Sequence, residues 1–354
     1  MKQSERNYKR IVIKIGSSLF YSGRKELDFG VLSSVAEQSA QLVKDKKEAA
    51  IVSSGAIALG MHLLGFKERP KELCELQAAA AIGQNEVVNH YRNSFKDKGV
   101  HAAQILLTRE DLNDRKRYLN AKNTLLTLIR LRSLPIINEN DTVSTEEIKF
   151  GDNDLLSALV AALISADLLI ILSDIDGLLD RDKKVIPVVG EITSEIKALA
   201  RPTDKKTCVG GMITKIEAAK ICMDSGIPCV IANGRTKDII LSVIKEPEKH
   251  GTLFCPRKSL AARERWIAFG TRSKGRIMVD DGAKRALLNN KSLLSVGVTG
   301  IEGNFDAGDI VSVTDKENIE FARGKVSVSV KQLDNVKGSR HDREVIHRDD
   351  IVIL

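Results

Sequence analysis

With 354 residues, 43% of them apolar, the chain can bury a sizeable core, and a soluble globular protein of two domains is expected. The five cysteines, Cys74, Cys208, Cys222, Cys229 and Cys255, contain no Cys-x-x-Cys pair, which argues against zinc or dithiol chemistry and for reduced thiols. The formal net charge of +8 divides into 40 Lys and Arg against 34 Asp and Glu in residues 1–264, and 15 against 13 in residues 265–354. An excess spread in this way suits anionic small substrates at least as well as nucleic acid.

Residues 1–10 are charged and run straight into a strand, without the apolar stretch and cleavage site of a signal peptide, so export is not expected and a cytoplasmic location is. Short β-branched runs at 11–15, 50–53, 102–107, 134–138, 168–173 and 228–232 alternate with helical patterns at 28–45, 71–97, 118–132, 153–165 and 212–225. The densely charged residues 109–126 read as a solvated amphipathic helix. The apolar stretch 155–172 is interrupted by Asp167 and reads as a buried helix followed by a buried strand, not as a membrane span. The alternation predicts an α/β architecture, a largely parallel sheet sandwiched by helices, whose ligands collect at the carboxyl ends of the strands. From about Arg265 onward Gly297, Gly300, Gly303, Gly308 and Gly324 break up Val- and Ser-rich runs, predicting a second, smaller β-rich domain.

Polar and glycine-rich blocks fall at or just beyond the predicted strand ends. Lys14-Ile15-Gly16 closes the first strand. Taken singly, Lys14 is a strand-end lysine that snorkels to solvent; after Ile11-Val12-Ile13 in a buried strand it would be costly unless an anion or carboxylate met it. Ser53-Ser54-Gly55-Ala56 joins strand to helix and reads either as a helix cap or as free N–H groups that hold a negative charge. Asn138-Glu139-Asn140-Asp141 and Gly151-Asp152-Asn153-Asp154 flank a short predicted hairpin. Each is a polar turn by itself; together they face a substrate's amine, and Asp154, at the start of an apolar helix, is sited to orient lysines. Gly210-Gly211-Met212-Ile213-Thr214-Lys215 opens another helix, where glycines can wrap phosphate while Thr214 and Lys215 point from the first turn.

The sequence holds neither a Gly-x-x-x-x-Gly-Lys-Ser/Thr loop nor a Gly-x-Gly-x-x-Gly turn, which disfavours the two commonest nucleotide folds. Two lysines, one carboxylate and glycine-flanked helix starts nonetheless outline a phosphoryl-transfer site, where catalysis rests on positioning and on neutralising spread negative charge.

Extended to 12–18, 52–58, 136–141, 147–154 and 210–215, these five ordered blocks resemble the glutamate 5-kinases of the amino-acid kinase superfamily, which carry a C-terminal PUA domain, and the resemblance runs through almost the whole chain. It implies an amino-acid kinase domain over 1–258, a linker over 259–271 and a PUA domain over 272–354. The implied reaction moves the γ-phosphate of ATP to the side-chain carboxylate of L-glutamate, the first step of proline synthesis. By the family pattern, Lys14 and Lys215 flank the transferred phosphoryl and Asp154 holds both in place. Ser54, Asp141 and Asn153 match the glutamate-binding positions, with Gly55 beside Ser54 in the same turn. Ser173 and Asp174 match the adenine-side pair, and Val209, Gly210, Gly211, Met212, Ile213, Thr214 and Lys215 match the ATP loop. Ser173 and Val209 stand where the family commonly has threonine; the serine keeps a hydroxyl and the valine offers none, leaving a backbone cradle. Mg²⁺ bridging the phosphates is implied, without an all-protein metal site. Homo-oligomers, dimer or tetramer, and inhibition by proline are carried over in the same way. Two other readings are a same-fold kinase acting on another carboxylate or carbamate, and an RNA-binding protein acting through its PUA domain. The near-neutral charge of that domain sets nucleic acid aside as a partner.

Overall fold

The computed structural model describes residues 7–21, 27–143, 152–200, 211–256, 262–269, 273–339 and 344–354. The chain divides into two compact units, Met1–Leu112 with Lys116–Ser259, and Asn113–Arg115 with Leu260–Leu354.

The first unit runs β1 (Arg10–Ile15), α1 (Gly30–Lys44), β2 (Glu48–Ser53), α2 (Ala56–Leu63), α3 (Leu73–Phe95), β3 (His101–Leu107), α4 (Arg109–Asn113), α5 (Arg115–Arg130), β4 (Ser133–Glu139), α6 (Asp152–Leu163), β5 (Leu168–Ser173), β6 (Val188–Val189), α7 (Ser194–Leu199), α8 (Met212–Asp224), β7 (Cys229–Asn233), α9 (Ile239–Lys245) and β8 (Thr252–Phe254). Its sheet has the order β3-β4-β2-β1-β5-β7-β8-β6. All neighbouring strands are parallel except β7 and β8. The six predicted strands are β1 to β5 and β7, and the helical patterns at 28–45, 71–97, 118–132, 153–165 and 212–225 are α1, α3, α5, α6 and α8, with ends displaced by a few residues.

β1 and β5 lie at the centre, and their apolar runs are buried on both faces, as parallel strands under two helix layers must be. Side chains alternate along β1. Ile11, Ile13 and Ile15 join Leu32, Val35, Val87 and Tyr91 of α1 and α3 in one core. Val12 joins Leu156 and Val160 of α6 and Ile216 and Ala219 of α8 in the other. The same alternation puts Lys14 on the α6/α8 face.

Residues 109–126 form two helices instead of one, with Asp114 between α4 and α5. The start of α4 is fixed by Thr108, whose backbone N–H and hydroxyl both donate to Asp111 Oδ2, at 2.8 and 3.0 Å; Asn113-Asp114 are poor helix formers that allow the break. The apolar run after β2 becomes α2, which lies backbone to backbone on α3. A Cβ on Gly60 would sit 1.7 Å from the Ala79 carbonyl oxygen, and one on Gly83 would sit 1.9 Å from that of Ala56. The hairpin expected between the two Asn/Asp blocks falls mostly on 144–151, outside the described residues. Cys74, Cys222 and Cys229 are free thiols, and Cys208 lies outside the described residues.

The second unit comprises α10 (Ala262–Phe269), β9 (Gly275–Val279), α11 (Asp281–Leu288), β10 (Val298–Gly303), β11 (Ile310–Thr314), β12 (Glu320–Lys325), α12 (Val330–Asp334) and β13 (Ile351–Ile353). Its sheet has the order β10-β9-β11-β12-β13, antiparallel except between β9 and β11. Ile277, Val279, Leu287, Phe305, Val311, Val313 and Ala322 form its core. Asp280 caps α11 by accepting the Ala283 N–H at 2.7 Å, and Ser329 with Gln332 forms a capping box on α12.

Gly60→Ala is expected to lower the free energy of unfolding by about 2–3 kcal/mol, because backbone must move to admit the methyl group. Gly190→Ala, whose added Cβ meets nothing within 4 Å, should change it by less than about 0.5 kcal/mol. Urea unfolding of the two variants checks the contrast.

Candidate active site

Lys14 sits opposite Val52 of β2 and Ile171 of β5, one residue from the carboxyl end of β1. Its Nζ lies 2.5 Å from Asp154 Oδ1 in the first turn of α6. Lys215, in the first turns of α8, places its Nζ 3.2 Å from Asp154 Oδ2, and the Thr214 hydroxyl stands 2.8 Å from the same oxygen. Lys14, Asp154 and Lys215 are 4%, 0% and 3% exposed. The cluster is therefore an interior set of charges, where each ion must be met by a partner.

Burial by itself would raise the Asp154 carboxyl; the ammoniums of Lys14 and Lys215 and the hydrogen bonds from Lys14 and Thr214 override it and hold the group below its ordinary 3.8. Burial lowers Lys14 from its ordinary 10.5, and Lys215 adds to this, against the opposing pull of Asp154. In their charged forms, two ammoniums share one carboxylate. The cluster then carries an excess positive charge, and the start of α6 supports Asp154 through the positive end of its helix dipole.

Glycines keep the approach open. The Gly16 N–H donates to the Leu172 carbonyl at 3.0 Å, and a Cβ there would stand 3.6 Å from Lys14 Nζ. Gly55 turns from β2 into α2 at φ +101°, with the Phe20 ring 2.6 Å from where a Cβ would lie, so no larger residue fits. Ser54 donates its N–H to Ile15 O at 3.2 Å, which holds the start of α2 beside the end of β1. The first amides of a helix have no intrahelical acceptor, so this turn also faces anions with donors.

Asn153, next to Asp154, donates its Nδ2 to Asn138 Oδ1 at 2.9 Å. Asn138 Nδ2 in turn donates to Gln84 Oε1 at 2.7 Å, linking α6, β4 and α3. Asp141 is half-buried in the turn after β4. Arg69 faces it: burial pulls the guanidinium down to about 10, with the Asp141 carboxylate opposing. Ser173, at the end of β5, is buried, while Asp174 is exposed. Asp174 Oδ1 accepts from Ser173 Oγ at 3.2 Å and from Ser18 Oγ at 3.1 Å. Gly211 caps α8, Met212 and Thr214 are half-buried, and Ile213 is 46% exposed. Val209 and Gly210 lie outside the described residues.

The structure thus joins Lys14, Asp154, Thr214 and Lys215 directly and sets Asn153 beside them. Ser54 and Gly55 adjoin through Ile15, and Ser173 and Asp174 end the strand next to β1. Sequence reasoning missed Gln84, Arg69 and Ser18. For Gln84 a signal existed: Ala78-Ala79-Ala80-Ala81-Ile82-Gly83 is a small-residue run that marks close helix packing, and Gln84 is the polar residue at its end.

Comparison with protein families matches residues 9–233 to the amino acid kinase family and residues 275–348 to the PUA domain. The chain belongs to the amino acid kinase family. Relatives named glutamate 5-kinase align along nearly all of it. That of Caldanaerobacter subterraneus subsp. tengcongensis is 46% identical over 364 residues, covering 98% of both chains. That of Thermoanaerobacter sp. is 44% identical with the same coverage, and that of Nitrosospira multiformis is 43% identical over 372 residues, covering 100% of this chain and 99% of its own. In this amino acid kinase the mostly parallel sheet carries the lysine–carboxylate cluster, and the β-rich second unit corresponds to the PUA match.

Asp154→Asn is expected to cost about 3–5 kcal/mol near neutral pH, because it strands two buried ammoniums. The folded Asp154 pKa lies below 3.8, so the wild-type advantage is complete above that value and shrinks as pH falls through the lowered one. Denaturant unfolding of both proteins across acid pH checks this; an advantage unchanged down to about pH 2 would rule out the ion pairs as its source.

Proposed function

We propose that this amino acid kinase is a glutamate 5-kinase, transferring the γ-phosphate of ATP to the side-chain carboxylate of L-glutamate to give γ-glutamyl phosphate and ADP. The observation that carries the reading is the pair of buried ammoniums on the single carboxylate of Asp154. Two anions must meet for this reaction, and a site with fixed, desolvated positive charge removes their repulsion. The relatives named glutamate 5-kinase supply the substrate.

In this reading a γ-carboxylate oxygen attacks the γ-phosphorus, the bond from that phosphorus to the β,γ-bridging oxygen breaks, and ADP leaves with the electron pair. The carboxylate is ionised at neutral pH, so no general base is needed. Lys14 and Lys215 lie against the phosphoryl group in flight, and Asp154 fixes both. Ser54, Gly55, Asp141 and Asn153 hold glutamate, with Asp141 toward its amine. Ser173 and Asp174 face the adenine side, and Val209 to Thr214 wrap the ATP phosphates ahead of Lys215.

Among the described residues no group of three or more His, Cys, Asp or Glu could hold a metal ion, and Asp154 is occupied by two lysines and a threonine. In this reading Mg²⁺ enters with the nucleotide substrate, carried by phosphate oxygens and water.

Proline biosynthesis, feedback inhibition by proline, a homo-oligomeric state and a cytoplasmic location complete the proposal on the family resemblance. No helix among the described residues is long and apolar enough to cross a membrane.

Hydroxylamine trapping of the acyl phosphate, with ATP and Mg²⁺, tests the reading. Hydroxamate is expected with L-glutamate and not with aspartate or N-acetylglutamate, and added proline should suppress it. Product with another acid would favour a same-fold kinase of different specificity. Lys215→Ala should reduce turnover by about 10²–10³ with the glutamate KM changed only a few-fold; near-normal turnover would remove Lys215 from the chemistry.

A further inference from the structure

The amides around Asn138 have a fixed direction. The backbone N–H of Glu139 can only donate, and it donates to Asn138 Oδ1 at 2.9 Å. That oxygen is an acceptor, so the other end of the Asn138 amide is the donor Nδ2, and the Gln84 atom 2.7 Å from it is the acceptor Oε1. Gln84 Nε2 is then left as a donor. It is buried and has no hydrogen-bond partner, in a side chain only 8% exposed. Native proteins rarely leave such a donor unmet.

Gln84 lies where α3 meets both α2 and β4. The preceding Gly83 lies against the first turn of α2, where its Cβ would stand 1.9 Å from Ala56 O and 2.5 Å from Gly60 N. Through Asn138, two hydrogen bonds lead from Gln84 to Asn153, the neighbour of Asp154. The first amides of α2 have no intrahelical acceptor, and Gln84 Nε2 is a second donor on the helix that packs against that turn. An acceptor satisfies the Gln84 donor, and a carboxylate oxygen of an anionic ligand is a strong one.

We propose that Gln84 Nε2 donates a hydrogen bond to a carboxylate oxygen of the amino-acid substrate, which makes Gln84 a specificity-determining residue. This rests on the glutamate reading above. The Gln84 amide does two things at once, since Oε1 holds Asn138 and Nε2 meets the ligand.

Two variants separate those roles. Gln84→Glu keeps an acceptor for Asn138 and replaces the donor with a negative charge; Gln84→Met removes both. Steady-state hydroxamate assays on the full chain, with thermal unfolding as a check of folding, give KM for glutamate and for ATP. A direct contact raises the glutamate KM by about 10–100-fold in both variants, more in Gln84→Glu, while kcat and the ATP KM change by less than about threefold. If Gln84→Glu behaves as wild type and only Gln84→Met is impaired, Gln84 acts through Asn138 and the proposal is overturned. Glutamate KM unchanged in both would also overturn it, leaving the donor to a water, while wild-type turnover keeps the kinase reading intact. Absence of any product from glutamate with wild-type protein would defeat that reading, and this contact with it.

Discussion

One carboxylate holding two ammoniums in a dry interior is the constraint around which the first unit is built. Asp154, Lys14 and Lys215 come from α6, β1 and α8, segments up to about 200 residues apart, and each ion would be intolerable in its place without the others. Lys215 lies near the start of α8, where the helix dipole is unfavourable to a cation; the adjacent Asp154 offsets this, and Asp154 itself gains from the start of α6. The cluster is fixed before any ligand binds, and it keeps a surplus of positive charge. A group with that surplus is preorganised for an anion whose charge shifts during reaction, and little reorganisation is needed when the anion arrives.

Close backbone approach serves the same end at the other side of the sheet's carboxyl edge. Gly55 can adopt its left-handed conformation over the Phe20 ring because it lacks a Cβ, and Gly60 and Gly83 let α2 and α3 touch through their backbones. The consequence is polar as well as steric. With α3 drawn in so far, Gln84 reaches Asn138 on β4, and Asn138 reaches Asn153 on α6. A packing device in a small-residue helix thus ties α3 through Asn138 to Asn153, the neighbour of Asp154.

Much of this was legible in the sequence, for a physical reason. Parallel strands buried on both faces appear as unbroken apolar runs, so Ile11-Val12-Ile13 and Leu168-Leu169-Ile170-Ile171-Leu172 identify the sheet centre, and a lysine at the end of such a run asks for a counter-ion. Short elements were not legible: β6 and β8 are two and three residues long, too few for a period to show. Which lysine meets which carboxylate was carried by resemblance, because sequence spacing does not report distance across a sheet. The pairings of Gln84 with Asn138 and of Arg69 with Asp141 join residues more than fifty positions apart, and they emerge only once α3 and the loop before it are laid against β4.

The second unit handles charge in the opposite way. Lys274 pairs with Asp309, Arg276 with Glu302, Lys284 with Asp315, Lys316 with Asp281, Arg323 with Glu320 and Lys337 with Asp334, all within 3.2 Å. The exposed ones among these pairs add little stability, but all of them commit cations to local carboxylates. Affinity for a nucleic-acid backbone grows with the number of phosphates neutralised by Lys and Arg. These six cations would have to abandon their partners to contribute to such binding. In the first unit, by contrast, two ammoniums outnumber one carboxylate, and burial limits the screening of that difference by solvent.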